Sequence, residues 1–543
     1  MTDWFVATTG LIGNTGAIGS PWDITSAWSG HSGAIQPGDN IWMRGGTYQK
    51  TNSNFTISVS GAVGSGVDNA DQKVIIRNYQ GEHVIVEETN TGNPPTGVDN
   101  TAVSGSFVWI WGLDFRCVLS QRTAYVGGPS CVWLQSTPSI GANTDGNKVI
   151  HCTLREGGGN GVFSDTHTGR SEIYGCLSFN NGYAQSPGAH GLYVHHQGTK
   201  VFTIEGNVCF NMEGFGTQLY SVADAHDFIE YIDYKNNILF NAGALNNIAS
   251  LGGVDAVLLE FGGASDTMNH MNVLNNWGYQ PGNLGDRMIE IGQGGTSRIG
   301  AANVVDDNYM IGGGQNSGFG CVYIHSILGA GGALEFQRNT FKPNTGVAGN
   351  NYEVWITDST YSGYNWGNTK WLGTYTLCKT PAHTFGSFAQ WKSDTGFSTD
   401  TNPVTPTVTQ VAVIPTKRYE DNRGLVAYYN WESTARIAVD LSTILTSGDT
   451  FDVHDVRDDF GAAITVFDAP AAGSPVTTYT GATVYFPTTQ VADPTQSGSA
   501  WGVGNETVPV ATAPFFNVFT VRKTGHPPTG AGKALQTYTR TQY

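Results

Sequence analysis

A short phrase recurs through the middle of the 543-residue chain: YGCLSFNNG, EGNVCFNMEG, KNNILFNAG, LNNWGYQPG, DDNYMIGGG and QRNTFKPN. Each sets a strand-like apolar run before a Cys or Asn, then a large apolar residue and usually a glycine turn. Aligned on that slot, the positions are Cys176, Asn207, Asn237, Asn276, Asn308 and Asn339, with separations of 31, 30, 39, 32 and 31 residues. A degenerate period near thirty, carried by strand-like phrases, predicts stacked β-coils rather than helical repeats. A solenoid of that kind lines up equivalent side chains from successive coils, so its sequence can be read as a surface.

Composition agrees with strands and tight turns: 72 glycines and only 13% charged residues, beside many Val, Ile, Tyr and Phe. A net charge of −17 argues against general nucleic-acid or anionic-membrane binding. It leaves room for an acidic polysaccharide at a local basic or metal site. No apolar run reaches membrane-span length, and MTDWFVATTG lacks the design of a signal peptide. Two settings are expected from this: extracellular after removal of a signal, or association with a virion. The seven cysteines form no C-x-x-C pair and are expected as buried free thiols.

Residues 1–50 read as an N-terminal cap and first coil, with Ser20 as helix N-cap, Pro21 in the first turn, and Trp22 and Trp28 to pack. The parallel β-helix is expected over 51–400. A Thr/Pro-rich connector follows at 401–417. Separate strands without the period predict a β-sandwich over 418–525, and 526–543 reads as an extended tail.

GDNIWMRGGTY, the Asn-slot coils and HGLYV resemble right-handed parallel β-helix proteins of the pectate-lyase-like superfamily. That resemblance covers about 1–400. It implies an all-β, single-stranded parallel β-helix in a group of polysaccharide lyases, glycoside hydrolases and phage tailspikes, without fixing a reaction.

Two ladders are expected. The Asn slot is read as bridging successive turns inside the coil, and Phe179, Phe210, Phe240, Tyr279 and Ile311 as an internal stack. The strands GVFSDT, GLYVHHQ, GTQLYS, AVLLEFGG, RMIEIGQ and CVYIHS align Asp165, His195, Tyr220, Glu260, Glu290 and His325 in one outward column. Two positions earlier, Phe163, Tyr193, Gln218 and Leu258 share that face. An ordinary solvated strand would carry Thr, Ser, Asn and Lys there. This column instead collects groups that transfer protons, which makes it a candidate groove for an extended glycan.

Glu260 and Glu290, on consecutive coils, suit the two-carboxyl requirement of glycoside hydrolysis, with Asp165 a third acid. The rival is β-elimination from a uronic acid, with His195 and Tyr220 as acid and base. The column holds no Lys or Arg, which disfavours a lyase of the usual kind. Tyr193, Gln218, His190, His325 and Arg155 are the candidates for contacting sugar. No cofactor is required, although Glu260 and Glu290 could hold calcium. His190, His195 and His196 do not suit a transition metal, because strand alternation sends His195 and His196 to opposite faces. The expected partner is a polysaccharide or cell-surface glycan, with hydrolysis ahead of elimination. The alternatives are a phage virion tailspike or receptor-binding structural protein, catalytic or inert and homotrimeric if a spike, and a secreted adhesin that only binds.

Overall fold

The computed structural model describes residues 1–62, 72–91, 99–120, 122, 130–135, 145–167, 169–182, 188–221, 228–245, 257–263, 267–281, 287–292, 297–313, 320–329, 331–343, 352–373, 378–403, 406–421, 423–497 and 508–524. The expected tail at 526–543 lies outside them.

Every regular coil contributes one strand to each of three long sheets. In one coil these are Glu172–Tyr174, Leu177–Phe179 and His190–His196. The first sheet runs from Asp3–Val6 to Asn365–Gly367, the second from Gly46–Thr51 to Lys370–Trp371, and the third from Phe55–Ile57 to Thr384–Phe385. Neighbours pair in parallel along all three; the closing pair Cys378–Lys379 with Thr384–Phe385 is antiparallel. The chain is a parallel β-helix.

The repeated phrase builds the corner between the first and second sheets. The residue before each slot turns the chain with a positive φ: Gly175 (64°), Gly206 (67°), Asn236 (57°), Asn275 (56°), Asp307 (58°) and Arg338 (55°). Most are Gly, Asn or Asp, the types that tolerate this region best. The slot amides then climb the coils. Asn207 Oδ1 accepts from the Cys176 backbone N–H at 2.9 Å, and Asn237 Oδ1 from both the backbone and side chain of Asn207 at 3.0 Å. Asn276, Asn308 and Asn339 continue the pattern at 2.9–3.2 Å. These buried amides satisfy backbone N–H groups that the corner removes from the sheet ladder.

The aromatic ladder is not internal. Cys209, Leu239 and Met310 fill the interior from the second sheet. Phe179, Phe210, Phe240, Tyr279 and Ile311 face outward on that sheet and are covered by the C-terminal domain, against Leu425, Ala427, Tyr429, Phe516 and Val518. Phe516 lies 5.5 Å from Phe240 and 5.1 Å from Tyr279 between ring centroids. A second asparagine row follows the ladder at positive φ, Asn180, Asn211 and Asn241. Their amides donate to Pro494 O, Asp493 Oδ1 and Val510 O at 2.6–3.0 Å. The dipeptide Phe-Asn, repeated three times, is thus the docking seam for the C-terminal domain.

That domain is an antiparallel sheet ordered Gln410–Pro415, Arg423–Tyr429, Phe516–Thr524, Thr450–Asp455, with the pair Arg436–Val439 and Val484–Pro487 over its other face. Gln410–Pro415 lies within the 401–417 segment read as a connector. Both faces of Arg423–Tyr429 are apolar because Val426 and Tyr428 enter the sandwich core while Leu425, Ala427 and Tyr429 meet the β-helix.

At the N-terminus the short helix Ile24–Trp28 is capped by Asp23, whose carboxylate accepts from Ser26 N at 2.9 Å. Asp23 takes the place expected for Ser20, because the helix starts three residues later than the Ser-Pro signal indicates. All seven cysteines are buried free thiols.

Candidate functional site

The outer face of the third sheet carries a strict column. Strand pairing aligns Trp133, Phe163, Tyr193, Gln218, Glu260, Glu290, Tyr323, Trp355 and Lys379 on consecutive coils. The residues on either side of it (Leu192 and Val194, Leu259 and Phe261, Ile289 and Ile291, Val322 and Ile324) point into the core. Alternation therefore sends the column outward.

This register differs from the sequence alignment by two residues. Glu260 pairs with Gln218, and Tyr220 pairs with Gly262. His195, Tyr220 and His325 consequently belong to a neighbouring column, interrupted by Gly262 and Gly292. Leu258 lies in the core rather than on the outer face. The Asp165 backbone sits in the strand Val162–His167, whose pairing shifts after Ser164; its side chain lies outside the described residues. A two-residue offset preserves the inward–outward alternation, so pattern alone does not expose it.

The two central acids have unlike partners. Gln218 Nε2 donates to Glu260 Oε2 at 3.0 Å, while the Arg287 guanidinium is ion-paired with Glu290 Oε2. Arg287 also lies 5.0 Å from the Tyr323 ring centroid. Glu260 is 0% exposed and Glu290 2%, so bulk water is excluded from both. In such a setting charge interactions are much stronger than at a surface. Glu260 and Glu290 occupy adjacent rungs, about 4.8 Å apart at the usual strand spacing.

Aromatic rings flank the acids on both sides. Trp133, Phe163 and Tyr193 stack along the axis with centroids 6.3 and 5.4 Å apart. His195 meets Tyr193 and Phe163 edge-on at 4.5 and 5.6 Å. His190 packs against Tyr193 at 4.8 Å and Phe215 at 5.0 Å. Its Nδ1 is buried without a hydrogen-bond partner, and burial, aided by His195, pushes its pKa down to about 3. Tyr220 is half-buried, 6.5 Å from Tyr193. Beyond Glu290, Tyr323 and Trp355 are 5.1 Å apart, and His325 lies 4.8 Å from Tyr323. Burial first, then Arg287, holds the His325 pKa below the ordinary imidazole range.

One candidate and a neighbouring histidine fall elsewhere. Arg155 belongs to the second sheet, where its Nε and Nη2 donate to the two carboxyl oxygens of Asp114, each at 2.9 Å. His196 lies apart from His195, its ring nitrogens 2.6 Å from Glu230 O and 3.2 Å from Gly169 O. Among the described residues no group of three or more His, Cys, Asp or Glu side chains is arranged to hold a metal ion.

Trp133, Arg287, Tyr323, Trp355 and Lys379 were not legible as site residues from the repeat phrase. A signal exists: SCVWL, GCVYI and YEVWI are the same apolar–aromatic–apolar step as GLYV, and Arg287-x-x-Glu290 repeats the spacing of His190-x-x-Tyr193.

No family model and no curated protein matches the sequence. Solved structures to which the fold is similar include pectate lyase Pel9A (15% identity, 65% of this chain and 78% of that one, TM-score 0.43) and XylC in complex with xylose (9%, 89% and 99%, 0.42). A third is the tailspike of E. coli bacteriophage HK620, a mutant in complex with a pentasaccharide (10%, 90% and 75%, 0.33). At these scores the assignment of the chain as a parallel β-helix rests on its own three sheets.

Proposed function

We propose that the protein binds an extended polysaccharide along the third-sheet column and hydrolyses a glycosidic bond at Glu260 and Glu290. The observation that carries this reading is the in-register pair of carboxyl groups with different partners. The Arg287 guanidinium paired with Glu290 favours the ionised form of that carboxyl, which suits the nucleophile or base. Glu260, next to that charge and held by a neutral amide, suits the proton donor. Two carboxyls with divided roles are what glycoside hydrolysis uses.

The aromatic rows before and after the acids extend the face over many coils, as a polymer requires. Elimination is less well served. His195 and Tyr220 stand in adjacent coils, but Arg287, the nearby cation, is already committed to Glu290. Digestion of a panel of bacterial surface glycans tests the reading: new reducing ends without unsaturated-uronate absorbance are expected. Absorbance rising with each cleavage would replace hydrolysis by elimination.

A further inference from the structure

The two flanks of the column differ in charge. On the N-terminal side, Trp133, Phe163 and Tyr193 are accompanied by no cation in the column. On the C-terminal side the column carries Lys379, its one cation among the described residues, before the closing antiparallel strand. The Lys379 ammonium sits 4.0 Å from the Trp355 ring centroid and 5.3 Å from that of Tyr352. Arg287 spends its charge on Glu290, whereas none of the ion pairs among the described residues includes Lys379.

Ring faces attract an ammonium electrostatically but accept none of its N–H bonds in the usual geometry. Lys379 is therefore held in place with donors left to offer. In a chain of net charge −17, a half-buried and positioned cation of this kind is a specific feature rather than part of a basic surface. Lys379 stands three rungs beyond Glu290, about 14 Å at roughly 4.8 Å per rung. It cannot touch the sugar being cleaved.

We propose that Lys379, backed by Trp355 and Tyr352, anchors an anionic group on a remote sugar of the bound glycan, so that the groove accepts the polymer in one direction. This rests on the third-sheet column being the glycan groove. The ligand class is a sugar unit bearing a carboxylate or a sulfate. The opposite flank, with its uncharged rings and the neutral His190, takes an uncharged unit.

The test uses full-length protein carrying 15N-labelled indoles, with the Trp355 resonance assigned by Trp355→Phe. Sodium D-glucuronate, D-glucose 6-sulfate and D-glucose are titrated at constant ionic strength. Saturable shifts of the Trp355 indole N–H with an anionic sugar, absent with D-glucose and lost in Lys379→Gln, are expected. A response to glucuronate alone or to the sulfate alone assigns the anion. Equal shifts with D-glucose, no shift with either anion, or a response surviving Lys379→Gln would overturn the anchor. Loss of this response while polysaccharide still binds at Tyr193 removes the anchor alone. An intact response in a protein that binds no polysaccharide removes the groove alone.

Discussion

Gln218 and Glu260 face each other across one rung of the third sheet, the amide donating to the carboxyl at 3.0 Å although 42 residues separate them in the chain. Most rungs are closer to thirty residues apart. This pair belongs to the register that places Glu260 beside Gln218 rather than beside Tyr220, which faces Gly262. Gln218→Leu removes a donor from a fully buried acid. Leaving that oxygen unsatisfied should cost about 1–3 kcal/mol of stability. Denaturant unfolding checks it, and an unchanged midpoint would mean the amide contributes nothing to holding Glu260.

Arg287 and Glu290 form a buried ion pair, which is costly to break from one side and cheap to replace from both. Arg287→Met alone should lose about 3–5 kcal/mol, whereas Arg287→Met with Glu290→Leu should recover most of that loss. A double-mutant cycle on unfolding free energy measures the coupling. Additive losses would show that the two side chains act independently.

Two buried groups give pH dependences of opposite sign. His190 titrates at about 3 in the folded protein, below the ordinary imidazole value, so the unfolded chain binds its proton first as pH falls. Its contribution therefore erodes from about pH 6.5 down to about 3. Glu88, inside the early coils with neither carboxyl oxygen hydrogen-bonded, has its pKa raised by burial to about 8. It stays protonated when folded, so stability falls as pH rises from about 4.5 to 8. Glu88→Gln should flatten the alkaline slope and His190→Phe the acid slope in melting temperatures taken across pH. A Glu88→Gln profile parallel to wild type would show that this carboxyl is ionised in the fold.

The C-terminal domain should depend on the Phe-Asn seam. Phe210 and Phe240 stack at 4.8 Å and are buried only because that domain covers them. Phe240→Ala should cost about 3–5 kcal/mol. Limited proteolysis should then cut near the junction sooner than in wild type. Equal cleavage rates would place the docking energy elsewhere.

Much of this was legible in the chain. The Asn ladder could be read because a corner residue at positive φ and a buried amide impose the same residue types on every coil. The Phe ladder was misplaced for a physical reason. An outward row covered by another domain is as apolar as an inward one, and periodicity does not distinguish them. Glu260 and Glu290 share the outer face as the alternation predicts, whereas His195, Tyr220 and His325 stand two residues out of line with them. Alternation fixes the face, whereas only pairing such as Gln218 with Glu260 fixes the rung. Lys379 and Arg287 escaped notice because one lies past the last recognisable phrase and the other at the strand edge.

The central claim is that Glu260 and Glu290 together break a glycosidic bond. Release of reducing ends from a cleaved surface glycan, measured for wild type, Glu260→Gln and Glu290→Gln at matched folded concentration, tests it most directly. The account predicts that either substitution lowers the rate by at least about a hundredfold while glycan binding persists. Full activity in both variants would contradict it.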